Sequence, residues 1–232
     1  MNRRIDIIPV PSALGAPDRG TAGGPEALRQ AGLLTALHRG GHEACWLPAL
    51  IPPTQVGRWE ALADLCERLA DTVAASIEAE RLPLVIGGDH AIAAGTWRGV
   101  ARAKDRPVGL LWIDAHLDAH VPEDSISGNP HGMPLALLLG VGDPRLASGV
   151  LSPRHVCVVG ARAWEAEEMQ RLRRYDVHVI DDAEIVRRGL PDVLREAMER
   201  VATGTTGFGI TCDLDVFPLD EAPGVNTPAA GG

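Results

Sequence analysis

Short apolar runs alternate along this chain with longer stretches of helical periodicity, and that alternation limits the fold more than any other feature. Arg4 to Val10, His42 to Leu47, Leu82 to Ile86, Val108 to Ile113, Val156 to Val159, Val177 to Ile180 and Gly207 to Thr211 read as strands. Helical stretches lie between them: Pro25 to about Arg39, Val56 to Glu80, Ala91 to Lys104, an apolar turn or two ending near Gly140, Trp164 to Arg174, and Ala183 to Ala202. Pro25 suits the first position of a helix that Gly40-Gly41 would stop. Leu62, Leu65, Leu69, Val73 and Ile77 sit at helical spacing, and Gly189-Leu190-Pro191 is a candidate break in the last helix. Strands alternating with helices imply parallel pairing with helices on both faces. With no repeat and no linker to separate two cores, the expectation is one α/β domain.

Composition narrows the function. The 232 residues carry a formal charge of −9, with 45% hydrophobic and 23% charged residues, ordinary values for a soluble globular protein. An acidic balance argues against a nucleic-acid surface, and 3% aromatics argue against base-stacking platforms. No apolar run approaches the ~20 residues of a membrane helix, and the start has no apolar stretch long enough for a signal peptide. Cys45, Cys66, Cys157 and Cys212 have neither zinc-ribbon nor disulfide-scaffold spacing; they read as reduced thiols of a cytoplasmic protein.

Three polar clusters follow predicted strands directly: Asp89-His90, Asp114/His116/Asp118, and Asp213/Asp215. In an open parallel sheet the carboxyl ends of neighbouring strands face one crevice, so the clusters could converge if the strand order allows it. Positions i, i+2 and i+4 of an extended segment point to one side, which would put Asp114, His116 and Asp118 together, and likewise Asp213 and Asp215. Taken singly, each has a bland reading. His90 could be a capping residue, Asp213 and Asp215 an ordinary turn, and His131 a solvated loop histidine. Together, four carboxylates at one place would repel unless cations neutralised them. Four Asp with two His form a hard oxygen and nitrogen set that suits Mn²⁺ better than structural zinc. Two such ions roughly 3.5–4 Å apart would balance the charge.

These residues resemble the ureohydrolase family, nearly along the whole chain. Gly15-Ala16-Pro17 to Gly23-Gly24-Pro25-Glu26-Ala27-Leu28-Arg29 is similar to its N-terminal loop and first helix. Gly87-Gly88-Asp89-His90, Asp114-Ala115-His116-Leu117-Asp118 and Asp213-Leu214-Asp215 are similar to its three metal motifs, in order, and Ala222 to Gly232 to the segment after them. The resemblance implies a three-layer αβα fold with a mainly parallel sheet and two Mn²⁺. One ion would be held by His90, Asp114, Asp118 and Asp213, the other by His116, Asp114, Asp213 and Asp215. A bridging water, acidified to hydroxide, would attack a guanidinium carbon to give an amine and urea. Asp118 would stabilise the intermediate and help move its proton, with His131 as proton shuttle.

Within the family, Ser127-Gly128-Asn129-Pro130-His131-Gly132 is more similar to the arginase branch than to agmatinases. That implies L-arginine or a close analogue as substrate, ornithine as product, and Ser127, His120, Glu165 and Thr227 as substrate-binding residues. His120 stands where that branch usually carries Asn, and Glu165 where it usually carries Asp. Family members continue further past the Gly-Gly pair, so the resemblance also implies a single domain short of the family's last segment. A small guanidino substrate and a homo-oligomer are the expected partners, with neither nucleic acid nor membrane. The alternatives are an agmatinase or other guanidino-acid hydrolase, a family member that binds metal without turnover, and a binuclear phosphoesterase. The last would need further Gly-Asp and Gly-Asn-His motifs, which Gly128-Asn129-Pro130-His131 does not match.

Overall fold

A computed structural model describes residues 2–231; Gly232, the last residue of the family-like C-terminal segment, lies outside the described residues. The chain divides into two compact units, one up to Ala103 and one from Lys104 onward.

In the first unit β1 (Arg4–Val10) is followed by a 3₁₀ turn and by α1 (Gly24–Gln30) and α2 (Leu33–Arg39). Then come β2 (Glu43–Trp46), α3 (Arg58–Glu78), β3 (Leu82–Gly87) and α4 (Ala93–Arg102). The three strands pair in the order β2-β1-β3, all parallel. Alternation along β1 sends Ile8 and Val10 to one face, against Leu65, Leu69 and Val73 of α3. Ile5 and Ile7 go to the other, where Leu33, Leu34 and Leu37 of α2 pack. Helices therefore cover both faces of this sheet. The single helix expected from Pro25 to Arg39 is two. Gly32 has φ +85, a left-handed conformation open to glycine at little cost, and it separates α1 from α2.

The second unit holds β4 (Gly109–Ile113), α5 (Pro134–Leu138), β5 (Val156–Ala161), α6 (Ala166–Arg174) and β6 (His178–Asp181). It ends with α7 (Asp182–Arg188), α8 (Leu190–Ala202) and β7 (Phe208–Cys212). Its strand order is β6-β5-β4-β7, again parallel throughout. Every residue of β5 is buried, as a strand covered on both faces requires. Leu111, Cys157, Val159 and Ile180 meet Val193, Ala197 and Val201 of α8. Gly189-Leu190 does break the last helical stretch, with Gly189 at φ +87.

Candidate metal centre

β4 and β7 are neighbours in register, Ile113 opposite Cys212, so the chain leaves the sheet at Asp114 and at Asp213 side by side. The ladder carries on for one more bond on each: the Asp213 N–H donates to the Ile113 carbonyl at 2.9 Å, and the Asp114 N–H to the Val159 carbonyl at 3.1 Å. Both segments then turn. The Asp213 carboxylate accepts the Asp215 N–H at 3.1 Å and caps a 3₁₀ turn, Leu214–Val216. Asp114 Oδ1 accepts the His116 N–H at 2.7 Å. The extended geometry expected for both strings is thus absent. Asp118 has φ +48, uncommon for a residue with a Cβ, and the acids converge through turns that their own side chains close.

The convergence is tight. His116 Nδ1 lies 3.0 Å from Asp215 Oδ2 and 3.6 Å from Asp114 Oδ1, and Asp215 Oδ1 accepts the Ala115 N–H at 3.2 Å. One ligand atom each from Asp114, His116 and Asp215 falls within 4.8 Å of the others. The Asp114 and Asp215 side chains are 1% and 4% exposed. Burial pushes the Asp215 carboxyl up; the His116 hydrogen bond opposes that and the Asp114 charge adds to it. Burial alone would lower His116, but hydrogen bonds to Asp114 and Asp215 and the charges of Asp215 and Asp118 drive it up to about 11. The gathered acids favour positive charge at this spot, which a divalent cation would supply in place of a proton. Carboxylate oxygen and imidazole nitrogen are donors such an ion accepts, so the residues fit the group.

Supporting residues that sequence reasoning missed surround the cluster. The Trp112 indole N–H donates to Asp114 Oδ2 at 3.0 Å; its position two residues before Asp114 on a strand was the available signal. Gly160, at φ +100, lies where a Cβ would come 2.8 Å from Val216 Cγ2 and 3.2 Å from the Asp114 carbonyl oxygen. The Arg162 guanidinium reaches the carbonyls of Asp215 at 2.7 Å and of Val216 and Ala230, each at 3.1 Å, fixing the turn that carries Asp215.

His131 sits in a 3₁₀ turn, Pro130–Gly132, laced to the segment after Asp114. The His120 N–H donates to the Gly132 carbonyl at 3.0 Å, and the Leu135 N–H to the Asp118 carbonyl at 2.9 Å. Next to Asp118 a second polar cluster forms. His120 Nε2 is 2.9 Å from Glu165 Oε2 and 3.3 Å from Glu168 Oε2, and its Nδ1 is 3.1 Å from Asp124 Oδ1. Glu165 caps α6, sharing a reciprocal capping box with Glu168. Ser127 is exposed, its Oγ accepting the Asn129 N–H at 3.2 Å, and Thr227 is half-buried after β7. His90, on the first unit, opens the 3₁₀ turn after β3. Asp89 beside it is buried and accepts the N–H groups of Gly15 and Ala91, each at 3.0 Å.

The sequence profile of the arginase family matches residues 3–232. The chain belongs to the arginase family. It is 37% identical to the arginase of Bacillus caldovelox across 98% of its own length and 81% of that protein's. It is also 37% identical to the arginase of Brevibacillus brevis, covering 82% of it. The solved structure of the Bacillus caldovelox arginase superposes with a TM-score of 0.95 at 36% identity over 99% of this chain and 82% of that one. The Bacillus subtilis arginase gives 0.93 at 35%, over 99% and 81%. Membership of the arginase family, with a carboxylate–imidazole cluster at the expected strand ends, supports a binuclear divalent-metal centre. Among the described residues no helix is long and apolar enough to cross a membrane.

Proposed function

We propose that this chain hydrolyses the guanidino group of L-arginine, or of a close analogue, to ornithine and urea, with two Mn²⁺ as cofactor. The observation that carries the reading is the buried Asp114–His116–Asp215 cluster at the ends of paired strands in a chain of the arginase family. His90, Asp114, Asp118 and Asp213 would hold one ion, and His116, Asp114, Asp213 and Asp215 the other. When bound, the pair supplies an acidified water and neutralises the carboxylates.

The protein's own groups do the rest. Asp118, 5% exposed and fixed in a left-handed turn, orients the guanidinium and carries a proton at its carboxylate as the C–N bond breaks. His131 moves protons between the site and solvent, the leaving nitrogen departing as an amine. Glu165 faces the substrate's far end, with His120, Ser127 and Thr227 as further contacts. Cys45, Cys66, Cys157 and Cys212 are thiols rather than disulfides, which suits the reducing cytoplasm, and a homo-oligomer belongs to the same reading.

Urea release from arginine, agmatine and 4-guanidinobutyrate with Mn²⁺ added tests the assignment. Arginine turnover abolished by Asp118→Ala and Asp213→Ala is the expected result. Turnover of agmatine but not arginine would replace the substrate; two bound Mn²⁺ without urea from any compound would leave a metal-binding relative.

A further inference from the structure

One guanidinium, that of Arg162, holds both the turn carrying Asp215 and the end of the irregular stretch that follows it. Its backbone is fixed first: β5 ends at Ala161, and the Arg162 and Ala163 N–H groups both donate to the Ala115 carbonyl, at 2.8 and 3.0 Å. The side chain then reaches the 3₁₀ turn Leu214–Val216, whose last carbonyls have no partner within the turn. Nη2 donates to the Asp215 carbonyl at 2.7 Å and Nη1 to that of Val216 at 3.1 Å. Two bonds to neighbouring carbonyls fix the plane of a guanidinium, and the direction of its Nε–H follows from that plane. This third donor meets the Ala230 carbonyl at 3.1 Å. Residues 217–230, between the two points, form neither helix nor strand. Their backbone bonds are local turns, the Glu221 and Ala222 N–H groups donating to the Pro218 carbonyl at 3.0 and 2.9 Å and the Val225 N–H to the Ala222 carbonyl at 3.4 Å. Among the described residues, Arg162 is the hydrogen-bond donor that ties the far end of this stretch to the rest of the unit. Gly231, at φ +91, lies against the same side chain, a Cβ there falling 3.5 Å from Arg162 Cδ.

Resting on the binuclear-metal part of the reading above, we propose that Arg162 is a positioning residue that couples metal occupancy at Asp215 to the placement of residues 224–231, the stretch carrying Thr227. The carboxylates of Asp114 and Asp215, both buried, repel each other until cations neutralise them. With that repulsion cancelled, the Asp215 turn is stilled, and with it the guanidinium plane and the Nε–H that grips Ala230. The freedom of the guanidinium is then already lost when the stretch docks, so docking costs less. Lysine cannot do the same, since an ammonium is a point charge with no planar fork to hold three carbonyls in fixed directions.

The test is hydrogen exchange, read by mass spectrometry on the whole chain with and without saturating Mn²⁺, with metal binding followed by calorimetry on the same samples. In wild type Mn²⁺ is expected to slow exchange across residues 224–231 by about fivefold or more, the low end of ordinary coupling between sites. Arg162→Lys should hold that slowing below about twofold, while Mn²⁺ still slows residues 115–118. A merely structural anchor would behave differently: its loss would speed exchange by the same factor with and without Mn²⁺. That unchanged ratio would overturn the proposal. Gly231→Ala probes the other end, straining the stretch through its positive φ without touching the metal turn. It should keep wild-type Mn²⁺ affinity and lose the Mn²⁺-dependent slowing of residues 224–230. Full slowing in this variant would overturn the coupling even where Arg162→Lys folds poorly. Two bound Mn²⁺ and a slowed stretch without urea from any guanidino compound would fail the hydrolase reading and keep this one. Urea from arginine, with a stretch indifferent to Mn²⁺, would do the reverse.

Discussion

Trp112 is completely buried, and its one hydrogen-bond donor points at Asp114 Oδ2. Removing a group that orients a ligand carboxylate typically costs about 10- to 100-fold in metal affinity. Trp112→Phe keeps most of the ring in the core and removes the donor. It should weaken Mn²⁺ binding by about tenfold or more, measured by calorimetry; unchanged affinity would show that the turn alone orients Asp114. In the first unit, buried Asp6 takes the Arg81 Nε–H at 2.5 Å, with the same guanidinium reaching the Ile5 carbonyl at 3.1 Å. Burial would raise the Asp6 carboxyl, but hydrogen bonds from Arg81, Ser76 and Cys45 hold it below its usual value. A carboxyl more acidic folded than unfolded stabilises the protein above the unfolded value of ~3.9, and that contribution is lost as pH falls through the folded one. Asp6→Asn should therefore cost about 1.5–3 kcal/mol at neutral pH. The gap to wild type in thermal scans should close in the acid limb below about pH 4.

Among elements, the turns leaving β4, β5 and β7 matter more to the site than the strands themselves. Gly160 breaks the β5–β6 register between Val159 and Ala161 and leaves room for Val216 and the Asp114 carbonyl. Gly160→Ala meets both a positive φ and a close contact, and should cost about 1–3 kcal/mol while lowering metal affinity. Gly32→Ala also meets a positive φ, at +85, but nothing lies within 4 Å of the added Cβ. It should cost about 1 kcal/mol with metal affinity retained, which separates strain from damage to the centre. This contrast also marks what was legible in the sequence. Strand positions were readable because buried parallel strands are continuous apolar runs, and Asp114, His116 and Asp215 because ligand types clustered at strand ends. The α1–α2 break was not, since the apolar pattern runs through Gly32 on both sides. Nor was the pairing of Arg171 with Asp124, which lie 47 residues apart and meet only once α6 packs. The extended reading of residues 114–118 failed because Asp114 and Asp213 bond to backbone two residues on and bend the chain.

For the whole molecule, the acids gathered in the second unit make cation binding a stability term. At a free Mn²⁺ concentration about a hundred times Kd, binding to the folded state alone adds about 2.7 kcal/mol per site. Differential scanning calorimetry should show Tm rising with Mn²⁺ and falling again on chelation. A Tm indifferent to the metal would mean that the folded chain holds none. Among the described residues all the strand pairs are parallel, and the β4–β7 pair joins Gly109 to Phe208, with Ala115 and Asp215 meeting 100 residues apart in the chain. Such distant pairings form late, because loop closure must precede the contacts that reward it. The Asp114–His116–Asp215 cluster would therefore act as a timer. During refolding from denaturant, metal uptake should lag the burial of Trp112 and mark the moment β7 docks on β4.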